Sequence, residues 1–209
     1  MKRNSYISDF ILNILIVGIT LYAVISISST GLEGNMEGSG TTAFRYFTID
    51  SNILCAITSF IMLVYDIKAL KGNEIPQYAY TLKMIGTTAV TVTFITVAVF
   101  LGPIQGYGMM LAGANLFMHL ITPLLAIISF IFMEKSNQKF GVTFLSVLPV
   151  FIYGSIYLYL VVFKKVWPDF YCFNSGMLNG LWYISYIVMI LLAFGIAVVL
   201  YNLNRRKQK

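Results

Sequence analysis

Thr87-Thr-Ala-Val-Thr-Val-Thr-Phe-Ile-Thr-Val97 is the stretch on which the fold turns. β-Branched residues dominate it, and intrinsic propensity reads it as a strand. It lies, however, inside a continuous apolar run from 79 to 101. In hydrocarbon, an open strand edge leaves backbone N–H and C=O groups with no partner. A lipid-embedded segment of this length is therefore expected to be helical.

Five more apolar runs flank it, at about 7–28, 44–66, 108–132, 142–163 and 178–201. Each exceeds the roughly 20 residues a helix needs to cross about 30 Å of hydrocarbon. Composition agrees: of 209 residues 58% are hydrophobic and 11% charged, where a water-soluble domain carries about a quarter charged. Mean hydropathy is +0.81. The expected fold is all-α, a polytopic integral membrane protein with six transmembrane helices in one bundle. It reads as a single domain over 1–209, without an internal repeat or linker.

The net charge of +6 sits mostly in flanks and short loops, so it reads as a topology signal rather than a nucleic-acid surface. With six spans, one side holds Lys2, Arg3, Lys68, Lys71, Lys83, Lys135, Lys139, Arg205, Arg206, Lys207 and Lys209. The other holds Arg45, Lys164 and Lys165. This imbalance places both termini in the cytoplasm of a multi-pass inner-membrane protein. The basic start Met1-Lys-Arg-Asn resembles a signal peptide, but Ser28-Ser-Thr-Gly-Leu-Glu lacks a small-x-small cleavage pattern, so a retained first helix is expected. The first outer loop, Ser28 to Thr42, carries Glu33 and Glu37. Cys55 in a span and Cys172 in a loop are not expected to pair. Tyr78, Tyr80, Tyr107, Trp167, Tyr171 and Tyr201 fall near span ends, as an aromatic belt does.

The chain's one histidine, His119, lies in Asn115-Leu-Phe-Met-His119-Leu-Ile-Thr-Pro123. An ionisable side chain at bilayer depth faces the bundle interior. Counting inward from the run's outer end puts it about 16 Å deep at 1.5 Å per residue. Asn115 is one turn above on the same face, and Pro123, one turn below, is expected to free the His119 carbonyl. Two readings stay open, an inter-helix hydrogen bond and a chemical site.

The second run begins Phe44-Arg-Tyr-Phe-Thr48-Ile-Asp50-Ser51-Asn52, and Thr48, Asn52, Cys55 and Ser59 form a stripe at helical spacing. A helical threonine more often bonds its own i−4 carbonyl. Asp50 needs Arg45, a hydroxyl, water or a proton of its own. Thr87, Thr91 and Tyr183 are candidates for lining a cavity, beside Asn179 and Tyr186, and Lys83 reads as a snorkelling lysine. At most two charges lie deep in the spans on this reading. One histidine cannot supply a bis-histidine haem, no His/Cys/carboxylate cluster marks a metal site, and no phosphate loop or GxSxG elbow is present. No cofactor and no metal are expected.

At Phe44-Arg-Tyr-Phe-Thr48 and Asn115-xxx-His119 the chain resembles the integral membrane family that contains the androgen-induced protein and the androgen-dependent tissue-factor-pathway-inhibitor-regulating protein. Arg45 to Asn52 is similar to the Arg-aromatic-Phe-Thr-x-x-Ser-Asn stretch of prokaryotic relatives, and Trp167-Pro168-x-Phe170 to the family's aromatic-Pro loop before the last span. Pro123 follows His119 at four residues, where eukaryotic members place it at five. The resemblance implies an intramembrane threonine-dependent hydrolase of lipid (fatty acyl) esters, such as fatty acid esters of hydroxy fatty acids. It assigns Thr48 as nucleophile and His119 as its base, with Asn52, Asn115, Asp50 and Ser51 as orienting or oxyanion residues. The implied partners are membrane lipids and an acyl ester drawn from the bilayer. No nucleic acid is expected, and self-association stays open. The competing classes are a small-solute transporter with a polar path at Asp50 and His119, and a non-enzymatic membrane subunit.

Overall fold

The structure is a computed structural model that describes residues 3–30, 39–134, 136–175 and 180–206. Lys2, Glu33, Glu37, Lys135, Asn179, Lys207 and Lys209 therefore lie outside the described residues. Those described form helices and no strand. Six helices are long and apolar enough to cross a membrane: Asn4–Ser29, Phe47–Leu70, Gln77–Gln105, Gly113–Met133, Val142–Phe163 and Trp182–Arg205, numbered here spans 1 to 6. Their outward faces carry large apolar side chains such as Ile25, Val99 and Leu191, each more than 60% exposed. A surface of that kind is matched by lipid rather than water.

The strand-like stretch is helical, as the membrane argument requires. It runs within an α-helix from Gln77 to Thr96 that continues into a π-helical turn at Val97–Leu101. Gly86 through Thr93 are buried without interruption, so span 3 packs on neighbours all round. Gly86 permits the closest approach: a Cβ there would meet the Thr58 hydroxyl oxygen at 2.3 Å and the Cys55 backbone at 3.1 Å. Thr58 is itself tied to the Cys55 carbonyl at 3.0 Å, so it has little room to turn away. Gly86→Leu is expected to destabilise the bundle by about 1–3 kcal/mol or more. Detergent unfolding checks this, and an unchanged midpoint would refute the close contact.

Span 4 begins later than the apolar pattern suggests. Tyr107–Met110 forms a separate helical turn, bracketed by Gly106 and Gly113 at positive φ of 95° and 50°. Those conformations suit glycine and let the chain double back. Met110 is thereby brought over His119. Span 4 then carries two π-helical turns, Phe117–Ile121 and Ser129–Met133.

The two ends of the bundle differ. At one end, the Ser5 hydroxyl donates to the Met133 carbonyl at 3.0 Å, and Asn204 Nδ2 donates to the Phe130 and Glu134 carbonyls at 2.6 and 2.9 Å. The start of span 1 and the ends of spans 4 and 6 meet there. At the other end, aromatic residues 170, 171 and 173 close over Tyr157, whose side chain is fully buried.

Candidate functional site

Thr48 owes its freedom to where span 2 starts. Gly40–Arg45 is a 3-10 turn, Tyr46 is extended, and the α-helix begins at Phe47. The residue four before Thr48 is thus outside the helix and offers no intrahelical carbonyl to its hydroxyl. Instead, Thr48 Oγ1 lies 3.3 Å from His119 Nε2. His119 Nδ1 lies 2.6 Å from the Met110 carbonyl. A carbonyl only accepts, so Nδ1 carries the hydrogen, and in the neutral ring Nε2 presents its lone pair to the threonine. Both side chains are buried.

The π-helical turn around His119 changes the expected effect of Pro123. Thr122 N–H bonds to Phe117 O, a five-residue register. Continued to Pro123, which has no N–H, that register leaves the carbonyl of Met118 rather than of His119 without a helical partner. Asn52 Nδ2 fills this gap, donating to Met118 O at 3.2 Å and to Thr48 O at 2.7 Å. Asn52 therefore ties the backbone of the threonine's turn to that of the histidine's, and its amide hydrogens are committed to that role. Asn115 is buried with its Oδ1 unpartnered among the described residues, and neither ring nitrogen of His119 bonds to it.

Ser51 faces span 3, 2.9 Å from the Thr93 hydroxyl. Asp50 is only half-buried. Arg45 does not pair with it but lies over the Trp167 ring, 5.9 Å from the centroid.

A partly open cavity adjoins Thr48. Its wall includes Phe47, Thr48, Thr93, Tyr153, Tyr171 and Tyr186, and is almost wholly aromatic or aliphatic. Of the lining candidates drawn from sequence, Thr87, Thr91 and Tyr183 are not part of this wall. Thr91 turns its hydroxyl back onto the Thr87 carbonyl at 2.7 Å, Thr87 is fully buried in the helix packing, and Tyr183 is 46% exposed. Tyr186, read from sequence as part of a wet face, does line it.

Sequence reasoning missed Tyr171, reading it as a belt residue. Its hydroxyl accepts from Phe47 N–H at 2.8 Å and interacts with the Thr48 side chain. Burial holds this phenol above its ordinary range, so it keeps its proton. Only the dense aromatic spelling of residues 167–173 could have hinted at packing rather than membrane anchoring.

Asp169 organises that loop. Its carboxylate accepts from the Tyr157 hydroxyl at 2.8 Å and from the Phe173, Asn174 and Ser175 N–H groups at 3.0, 2.8 and 2.7 Å. Burial alone would raise its pKa, but hydrogen bonds from Ser175, Tyr157 and Asn174 outweigh it and hold the value below the ordinary 3.8. A depressed folded pKa contributes stability that is present above the unfolded value and lost as pH falls through the folded one. Protection of the Asn174 and Ser175 amides from hydrogen exchange is therefore expected to survive from neutral pH to below 3.8 and then collapse. Asp169→Asn should weaken that protection at neutral pH and flatten its pH dependence. A collapse well above pH 3.8 would contradict the assignment.

Lys83 is not a snorkelling residue. It is fully buried, as are Asp9 and Asp66, with Glu134 2% exposed. Four ionisable side chains thus lie inside the bundle, where the sequence suggested two at most. Asp9, Asp66 and Glu134 were not singled out in the sequence. Leaving Lys83 out of the topology signal makes it ten basic residues against three, with the same imbalance. Cys55 and Cys172 are both free. Among the described residues no group of three or more His, Cys, Asp or Glu side chains is disposed to hold a metal ion. No family model, no curated protein and no solved structure matches this chain.

Proposed function

We propose that this chain is an intramembrane, threonine-dependent hydrolase of fatty acyl esters, a prokaryotic member of the family it resembles at Arg45–Asn52 and Asn115–His119. The observation that carries the reading is the Thr48–His119 contact of 3.3 Å, with the second ring nitrogen held by Met110 O at 2.6 Å. A threonine hydroxyl is a weak nucleophile, and it needs a base within hydrogen-bond reach whose own orientation is fixed.

In the proposed reaction, His119 Nε2 takes the Thr48 hydroxyl proton while Oγ1 bonds to the ester carbonyl carbon. The tetrahedral intermediate collapses, the alkoxide leaves, and His119 returns the proton to it. Water then loses a proton to the same nitrogen and attacks the acyl-threonine; the second tetrahedral intermediate collapses, His119 returns that proton to the departing Oγ1, and the fatty acid is released. The Tyr171 hydroxyl, beside Thr48, and the unpartnered Asn115 amide are the groups assigned to the developing oxyanion. Asn52 positions the two backbones. The aromatic and aliphatic cavity receives the acyl chain from the bilayer, which accounts for catalysis without a soluble domain. Both termini are assigned to the cytoplasm of an inner membrane from the basic-residue imbalance.

The transport reading has less support. Both nitrogens of His119 are engaged by protein atoms, which leaves neither free for a passing solute. Purified protein in nanodiscs, offered p-nitrophenyl esters of increasing chain length, tests the proposal. Long-chain hydrolysis above the empty-nanodisc background supports it, and background rates across the series refute it.

A further inference from the structure

The second polar cluster lies at the opposite end of the bundle from Thr48 and stands independently of the hydrolase reading. Asp9 comes from span 1, Asp66 from span 2, Lys83 from span 3, and Glu134 follows span 4. Lys83 Nζ donates to Asn13 Oδ1 and to Ser59 Oγ, the latter at 2.8 Å, and lies 3.8 Å from Glu134 Oε1. This is the sole ion pair among the described residues. One ammonium group thus faces three carboxyls, each within electrostatic reach of the others. With all four ionised, two uncompensated negative charges would sit without solvent, at a cost of several kcal/mol apiece.

Hydrogen-bond stoichiometry locates one missing proton. Ser129 Oγ lies 2.7 Å from Asp9 Oδ1 and 3.1 Å from Glu134 Oε1. A hydroxyl has one hydrogen to give, so it makes a full bond to both carboxyls only if one of them is protonated and donates to it. Glu134 stands beside the Lys83 ammonium, the position that favours a carboxylate. With the charge on Glu134, Ser129 donates to Glu134 and a protonated Asp9 donates to Ser129. At Asp66, Oδ2 accepts from Asn13 Nδ2 at 3.2 Å, because Lys83 fixes the Asn13 oxygen toward itself. Asp66 Oδ1, Asp9 Oδ2 and Glu134 Oε2 are buried with no partner among the described residues. A buried polar atom of this kind calls for a partner such as a proton, a water or an ion.

We propose that Asp9, Asp66 and Glu134, gathered round Lys83, form a proton-binding site that holds two exchangeable protons while Lys83 is charged. One resides on Asp9 and one on Asp66. Tyr6 and Asn13 of span 1, Cys55 and Ser59 of span 2, Tyr80 of span 3 and Ser129 of span 4 surround the site, and Asn204 of span 6 holds the Glu134 backbone. None of these adds a second cation. Because the hydrogen-bond chains join spans 1 to 4, loss of either proton sets like charges against each other and loosens their packing.

Infrared spectroscopy of the full chain in lipid at neutral pH reads protonated carboxyl groups directly, since their C=O stretch is separate from carboxylate absorption. The site predicts bands that shift in D₂O, with one lost in Asp9→Asn and one lost in Asp66→Asn. It also predicts that Lys83→Met gains a band, because Glu134 then takes a proton in place of its lost partner. A merely structural lysine would produce no gain. If Lys83→Met does not fold, the two near-isosteric Asn variants still decide the matter. Spectra unchanged in both Asn variants would overturn the proposal, as would bleaching of the bands by Na⁺ or K⁺ at fixed pH, which would mark a metal-cation site.

Discussion

If the proposed hydrolase reading holds, Thr48→Ala is expected to reduce hydrolysis of a long-chain acyl ester to background, and His119→Ala to lower kcat by about 10²–10⁴-fold, the usual contribution of a positioned general base. The two losses are not additive. Once the nucleophile is gone the base has nothing to activate, so the double variant matches Thr48→Ala alone. Neither substitution touches the backbone contacts that join spans 2 and 4, because Asn52 bonds to the Thr48 and Met118 carbonyls and not to either side chain. Both variants are expected to fold. Full turnover by folded Thr48→Ala protein, measured against wild type at the same lipid ratio, would remove the threonine from the mechanism.

Tyr157→Ala is expected to lower stability by about 3–5 kcal/mol, the range for emptying a fully buried large aromatic site. Its ring packs against Phe170, Tyr171 and Phe173 at centroid distances of 5.0, 5.2 and 5.6 Å. Its hydroxyl donates to Asp169 and accepts from the Tyr171 N–H at 3.1 Å. Tyr157→Phe keeps the ring and removes only the hydroxyl, with an expected cost of about 1–3 kcal/mol for the partners left unmet. Because Tyr171 is held against Thr48 by this packing, the Phe variant should also lose activity through misplacement of Tyr171. Equilibrium unfolding in mixed micelles gives both values. A Tyr157→Ala variant as stable as wild type would show that the loop is anchored elsewhere.

How far the sequence went can be judged residue by residue. Span number and the helical state of Thr87–Val97 follow from hydrocarbon's intolerance of unpaired backbone, a constraint stronger than β propensity. His119 stood out because an ionisable group deep in an apolar run is costly, whereas Thr48 entered through the family resemblance; the structure sets the two at hydrogen-bond distance. The histidine's second partner did not stand out. Met110 reaches it through the break at Gly106 and Gly113, which an apolar run conceals. The π-helical register that moves the free carbonyl from His119 to Met118 is equally silent in a linear pattern. Lys83 was misread for a related reason. The carboxyls around it come from spans 1 and 2 and the end of span 4, and each looks alone like an ordinary charge near a membrane surface. Only tertiary packing turns those separate charges into one buried network.

Fluorophosphonate labelling of the purified protein in lipid, with the modified peptide located by mass spectrometry, tests the central claim most directly. The account predicts an adduct on Thr48 that is lost in Thr48→Ala and much slowed in His119→Ala. An adduct on another residue, or wild-type labelling that His119→Ala leaves unchanged, would contradict a Thr48–His119 nucleophile and base.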